Sequence, residues 1–350
     1  MAFSILLLCL SLLPAKGSIL RHRTALPINI INLQRDTERW SNVIQGLLSK
    51  GVPKKSITRY AAVYGKELTK ADLLQNSTLL TRLFCTSGTI GCYLSHRDLW
   101  CKIHKESAPW QIIMEDDVIV ANDFCDKVRE VIREMEDNSE MKDNWDVILL
   151  GAFGAIKPDG RYGVFRLPSF AAGRRRKRRK VSLHCHVPER PFGMHAYILS
   201  RRGAEKLVRA ASIANGHVDV TAWGLHSLVL VCCDPLIAYQ DMDSPSTIGA
   251  VTRGLETKIP RSIIKVDEYT NIALEWALNE PLILIPGFNV LITIGRSLAW
   301  AWGGMLLAVC LSLTNTAQWV LPIHLAAVAL VFWLLRVLHE PAGMSTDLIL

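Results

Sequence analysis

The residue types best suited to chemistry stand together at Glu115-Asp116-Asp117, directly after the apolar run Ile112-Ile113-Met114. Like charges in one place repel and raise each other's pKa, so three carboxylates ending a buried strand need a counter-charge. A hard divalent cation supplies one, because Mg2+ and Mn2+ take oxygen ligands and bridge to phosphates. Such an ion neutralises a departing nucleotide diphosphate and stabilises it as a leaving group. The competing reading is a solvated acidic turn capping the next helix; the apolar strand in front favours the metal. His184-Cys185-His186 also has metal-ligand residue types. Alternate residues of one strand face the same side and a third ligand is not evident, so no site is assigned there.

A strand must carry the triplet, and the surrounding pattern supplies an α/β frame. Pro27–Leu33 reads as a first buried strand, and Arg35–Trp40 opens a helix with Trp40, Val43, Ile44, Leu47 and Leu48 at helical spacing, ended by Gly51-Val52-Pro53. Tyr60–Tyr64 reads as a second strand, Gly88–His104 as a helix, and Trp110–Met114 as the short strand before the triplet. Phe124–Met135 is amphipathic, Asp146–Leu150 is another buried strand, and strand-like His195–Leu199 precedes helical Gly203–Ala211. Short apolar strands alternating with helices predict an α/β sheet, and open α/β sheets bind ligands at the carboxyl ends of their strands.

Three ordered segments, Ile30–Arg39 (IINLQRDTER), Gly91–Trp100 (GCYLSHRDLW) and Ile112–Val118 (IIMEDDV), resemble motifs of glycosyltransferase family 25. Asn144–Gly151, Gly193–Ala204 and Gly216–Val220 extend the likeness over roughly residues 27–250. The resemblance implies a GT-A-type fold with a Rossmann-like nucleotide-sugar domain, a UDP-sugar donor (galactose most often) and Mn2+ (or Mg2+) dependence. It implies that Glu115, Asp116 and Asp117 form the nucleotide and metal site, with Asp117 the first metal ligand and Asp116 the second. Asn32, Leu33 and Arg35 would lie near the nucleotide, and Arg39, one turn into the helix, would pair with a nearby carboxylate. Ser95 and His96 would pass beside the donor pocket, although a lone helix-face histidine is commonly structural. Inverting transfer, also implied, needs a carboxylate base for the acceptor hydroxyl. Asp219, between two valines in His217–Val220, is the candidate, with helix capping of Thr221–Leu230 as its alternative. Gln240 and Ser246, in the closing motif, would line the donor or acceptor site.

The ends differ from the middle in composition, and mean hydropathy is +0.21. Ala2–Leu13 followed by Ala15, Gly17 and Ser18 reads as a signal peptide or anchor over residues 1–17, although no basic residue precedes it. Residues 251–281 read as a linker. Segments 297–313 and 317–335 contain no Lys, Arg, Asp or Glu, and each approaches the ~20 residues needed to cross a bilayer. With Trp300, Trp302, Trp319 and Trp333 towards their ends they predict a transmembrane hairpin, a pair of core helices being the alternative. Together with the Asn76-Ser77-Thr78 glycosylation sequon, this predicts a membrane protein of the endoplasmic reticulum or Golgi with a lumenal catalytic domain; Arg21, Arg23, Arg296 and Arg336 lean the other way.

Net charge is +8, but Arg174–Lys180 (RRRKRRK) supplies seven positive charges, so no nucleic-acid partner is expected from a basic face. That run reads as a solvated loop longer and more basic than the family resemblance leads one to expect, with acidic lipid, an acidic acceptor or dibasic processing as alternatives. The nine cysteines include no C-x-x-C pair and fix no disulfide framework. Two function classes follow: an enzyme moving a hexose to a protein or glycan hydroxyl, or a catalytically inactive relative acting as a membrane-bound binding or adhesion module.

Overall fold

The structure, a computed structural model, describes residues 26–153, 155, 158, 176–188, 191–241, 281–285, 290–313 and 319–339. The expected signal segment 1–17, nearly all of the 251–281 linker, Ser246, and Arg174 and Arg175 of the basic loop lie outside these residues.

In chain order the elements are β1 (Ile28–Asn32), α1 (Thr37–Ser49), β2 (Ile57–Ala61), α2 (Lys70–Asn76), α3 (Leu79–Phe84), α4 (Ser87–Lys105), β3 (Trp110–Glu115), β4 (Val118–Val120) and α5 (Phe124–Asp137). There follow β5 (Val147–Phe153), β6 (Arg179–Lys180), β7 (Cys185–Val187), β8 (Phe192–Ser200), α6 (Arg201–Ala210), α7 (Val218–Gly224), β9 (Leu230–Cys233) and β10 (Ala238–Gln240). The last four are β11 (Pro281–Ile285), β12 (Val290–Thr293), α8 (Ile294–Leu313) and α9 (Val320–His339).

Eight strands form one mixed sheet in the order β2-β1-β3-β8-β5-β9-β7-β6. β1 is parallel to β2 and β3, whereas β8 runs antiparallel between β3 and β5. Side chains alternate between two cores, as the two-residue period of a strand requires. Ile28, Ile30, Ile112, Met114, Ile148 and Ile198 pack on one face with Val43, Leu47, Phe124 and Val128 of α1 and α5. Ile31, Ile113, Leu149, Tyr197 and Leu199 pack on the other with Leu94, Trp100 and Ile103 of α4, Leu207 of α6 and Trp223 of α7. Burial on both faces explains why these strands read as continuous apolar runs.

α4 begins where Thr86 accepts the Thr89 N–H at 3.1 Å, an N-cap that satisfies a donor the helix leaves open. It lies close to the segment after β2: a Cβ on Gly91 would sit 2.7 Å from the Val63 carbonyl oxygen and the Gly65 nitrogen. Ser95 strengthens that contact by accepting the Val63 N–H at 2.8 Å while donating to the Gly91 carbonyl at 2.7 Å. β2 ends earlier than its apolar run suggests, because Tyr64 already leads into the 3-10 turn Gly65–Glu67.

The α/β expectation is met by this mixed sheet, but the C-terminal transmembrane hairpin is overturned. Among the described residues, no helix is long and apolar enough to cross a membrane. α8 and α9 fall on the two segments concerned. The His324 imidazole hydrogen-bonds the Ala301 carbonyl at 3.1 Å and packs edge-on against Trp300. The membrane partner and the membrane localisation derived from that hairpin fall with it.

Candidate active site

The acidic triplet sits at the carboxyl end of β3. Register places Glu115 opposite Ile31 of β1, so Asn32, the last residue of β1, stands beside Asp116. Asn32 Nδ2 donates to Asp116 Oδ2 at 2.6 Å, and Arg39 Nε, from the first turns of α1, donates to Asp116 Oδ1 at 2.8 Å. Arg39 Nη2 also lies 3.1 Å from Asp117 Oδ2, which accepts Gln240 Nε2 at 3.1 Å. β10 reaches this point by pairing with β4, Gln240 opposite Val118, and Asp241 N–H bonds the Asp117 carbonyl at 2.7 Å. Two segments distant in sequence, residues 32–39 and 240–241, therefore converge on two carboxylates.

Electrostatics leaves Asp117 the least settled member. Burial, and then the neighbouring Glu115 charge, push its carboxyl up to about 7, although Arg39 and Gln240 pull the other way. Its Oδ1 is buried and takes no hydrogen bond among the described residues. Burial lowers the pKa of the Arg39 guanidinium, but Asp116 and Asp117 more than offset this, so it rises overall. Three carboxylates against one touching guanidinium leave an excess of negative charge. A hard divalent cation fits this set by donor type, by charge and by the unused Asp117 oxygen.

Glu115 belongs to a second arm. His96 Nε2 lies 3.1 Å from Glu115 Oε1, His96 Nδ1 lies 3.0 Å from the Tyr197 hydroxyl, and Trp100 Nε1 donates to that hydroxyl at 2.8 Å. Burial raises the Glu115 carboxyl, yet the His96 hydrogen bond and the electrostatic influence of His96, His195 and Arg39 bring it below its ordinary value. Cys92 Sγ, one turn before His96 on α4, lies within 4.8 Å of the His96 and Glu115 donor atoms. His195, deep in β8, is held neutral: burial takes its pKa down to about 4 despite the Glu115 charge and a hydrogen bond to the Ala238 backbone.

The remaining expected residues divide. Asp219 lies inside the first turn of α7, with His217 rather than Asp219 at the cap position. Its carboxylate accepts Gly193 N–H at 2.7 Å and Val220 N–H at 2.8 Å, tying α7 to the start of β8, where Gly193 takes φ +83°. Leu33 contributes its carbonyl, which accepts Arg59 Nη2 at 3.2 Å. Arg35 is over half exposed and lies over the Tyr64 ring, 3.8 Å from its centroid. Ser95 is buried in the packing of α4 described above. Ser246 lies outside the described residues.

Sequence reading missed Arg59, His195 and Tyr197. Arg59 Nε donates to Asn32 Oδ1 at 2.8 Å, fixing the amide that faces Asp116. Nothing in its local sequence signals this, because the contact exists only once β2 pairs with β1. His184-Cys185-His186 diverges: His184 pairs with Glu134 at 2.5 Å, Cys185 faces Cys233 across β7 and β9, and His186 lies 3.3 Å from the Ala155 carbonyl. His184, from the turn before β7, forms a cluster of metal-ligand types with Glu130 and Glu134 of α5, where Lys127 already pairs with Glu130.

A family model for glycosyltransferase family 25 (LPS biosynthesis protein) matches residues 25–222. Procollagen galactosyltransferase 1 of Danio rerio is 24% identical over 189 residues, 52% of this chain and 28% of that protein. Procollagen galactosyltransferase 2 of Mus musculus is 28% identical over 132 residues, 35% of this chain and 20% of that protein. Inactive glycosyltransferase 25 family member 3 of Mus musculus is 30% identical over 123 residues, 35% of this chain and 18% of that protein. The chain thus spans less than a third of the length of these curated relatives. The family match takes in the β1 terminus, Arg39, His96, the acidic triplet and Asp219, and covers more than half of the sequence: the chain belongs to glycosyltransferase family 25.

Proposed function

We propose that this chain is a metal-dependent glycosyltransferase that moves a hexose, galactose by analogy with the procollagen galactosyltransferases, from a UDP-sugar to a hydroxyl of a protein or glycan acceptor. The observation that carries this reading is Asp117, a buried carboxylate with an unused oxygen, inside a cluster whose negative charge Arg39 only partly balances. Asp117 and Asp116 would hold Mn2+ or Mg2+, which supplies positive charge to the departing diphosphate. Asn32, Arg39 and Gln240 hold the two carboxylates in place, and Glu115 faces the donor from the other arm. Asp219 is proposed as the base that takes the acceptor proton with inversion; its carboxylate is held in place by the two backbone N–H groups it accepts.

Screening UDP-sugars for transfer and for hydrolysis, with and without Mn2+, tests the reading. Metal-dependent turnover is expected, with kcat reduced on the order of a hundredfold or more in Asp117→Ala. A purified protein that turns over no nucleotide sugar with any metal sinks the proposal. One observation favours a second reading, an inactive relative that binds without catalysis: Arg39 reaches both Asp116 and Asp117 and competes with a cation for their oxygens. Binding of UDP without Mn2+ dependence, and with no turnover, would establish that reading.

A further inference from the structure

The His96–Tyr197–Trp100 arm lies behind the acidic triplet and is closed to solvent, with His96 1% exposed and both aromatic partners 0%. Donor and acceptor chemistry orders its protons. An indole N–H only donates, so Trp100 Nε1 occupies one lone pair of the Tyr197 oxygen. The Tyr197 proton then needs an acceptor, and among the described residues His96 Nδ1, 3.0 Å away, offers one. Nδ1 must therefore be bare and Nε2 must carry the hydrogen, which points at Glu115 Oε1, 3.1 Å away. The opposite tautomer fails at both ends. It would aim two N–H donors at Tyr197 and strand that hydroxyl's own proton, and it would set the Nε2 lone pair against a carboxylate.

We propose that Tyr197, oriented by Trp100, is a positioning residue: it fixes the Nε2–H tautomer of His96 and thereby holds the Glu115 carboxylate in one orientation at the edge of the site. Each donor feeds the next, and the chain ends on a carboxylate, the arrangement in which outer partners orient a ligating group. The consequence for nucleotide binding rests on the proposed function; the proton assignment does not. Gln in place of His96 keeps one acceptor and one donor, so it can pass the same polarity from Tyr197 to Glu115, whereas Leu cannot.

The test uses the full-length protein labelled with 15N-histidine, the His96 signals being assigned by their loss in His96→Gln. Long-range 1H–15N correlation at pH 7.5 is expected to show a protonated Nε2 and a bare Nδ1 in the wild type. In Tyr197→Phe, which keeps the ring packed against Trp223 at 5.2 Å, a mixture of tautomers is expected. Calorimetry with UDP and Mn2+ is expected to show about tenfold weaker binding in Tyr197→Phe, and His96→Gln should bind more tightly than His96→Leu. A wild-type His96 protonated on Nδ1 overturns the proposal, and so does Tyr197→Phe with unchanged tautomer and affinity. Stoichiometric uptake of added Zn2+ at His96 Nε2 with Cys92 and Glu115 would overturn it as well. The expected tautomer together with a wild type that binds no UDP with Mn2+ confirms the proton assignment and overturns the proposed function instead.

Discussion

Asp117 and His195 are neighbours of the same acidic centre whose shifted pKa values act in opposite directions. Asp117 holds a proton in the folded protein up to about pH 7, well above its ordinary 3.8. Between those values the native state binds more protons than the unfolded chain, so this residue's contribution to stability falls as pH rises. Asp117→Asn removes the effect. Without metal, the variant is expected to gain stability relative to wild type from pH 5 to pH 8 in chemical denaturation, while losing Mn2+-dependent UDP binding. Gain of stability with loss of binding marks a residue kept for function. His195 has the reverse sign. Its pKa falls from 6.5 unfolded to about 4 folded, so the unfolded state binds the extra proton and stability is lost as pH falls through that window. The stability of wild type relative to His195→Gln is expected to rise between pH 4 and 6.5, by at most about 1.4 kcal/mol per pH unit, and to level off above. A flat difference would show that His195 is not held neutral.

Among the elements, α4 and α1 matter most to the site because each presents one face to a strand terminus. α4 delivers His96 to Glu115 only because Gly91 lets it settle against the Val63–Gly65 backbone. Any Cβ at residue 91 meets backbone atoms rather than a flexible side chain, so relief requires moving the helix. Gly91→Val is expected to destabilise by about 2 kcal/mol and to weaken UDP binding beyond what global unfolding explains, read by thermal melts alongside calorimetry. α1 delivers Arg39 across to Asp116 and Asp117. Sequence alone allowed Arg39 an ion pair with any nearby carboxylate, and the parallel β1–β3 register decides that its partners are those of the acidic centre. The same distinction separates Ser95 from His96. Both stand in one motif, but one is used in helix packing and the other faces the centre.

Across the whole molecule, the far end of the sheet is fastened by a second buried carboxylate. Asp146, 0% exposed, binds Arg202 Nε at 2.8 Å, Lys206 Nζ at 2.6 Å and the Val229 N–H at 2.7 Å, joining the start of β5 to α6 and β9. Removing it leaves buried donors and two cations without their partner, so Asp146→Ala is expected to cost about 3–5 kcal/mol in urea unfolding. Binding of UDP should be retained in the fraction that remains folded. The two acidic features show what each level of description determines. Sequence by itself settled the alternation of short apolar strands with helices and the clustering of three carboxylates after one of them, because apolar periodicity and charge repulsion are local properties of the chain. It also led to a membrane hairpin, because the absence of ionisable residues is all that a local count registers, whereas no helix among the described residues is long and apolar enough to cross a membrane. Tertiary structure alone decided that β8 runs antiparallel between β3 and β5, bringing Tyr197 and His195 behind Glu115, and that Gln240 arrives through β10 to meet Asp117. Those partners lie from 80 to more than 120 residues away in the chain. Their meeting is fixed by strand order and register, which pair interactions between distant segments create and which no local pattern of residues encodes.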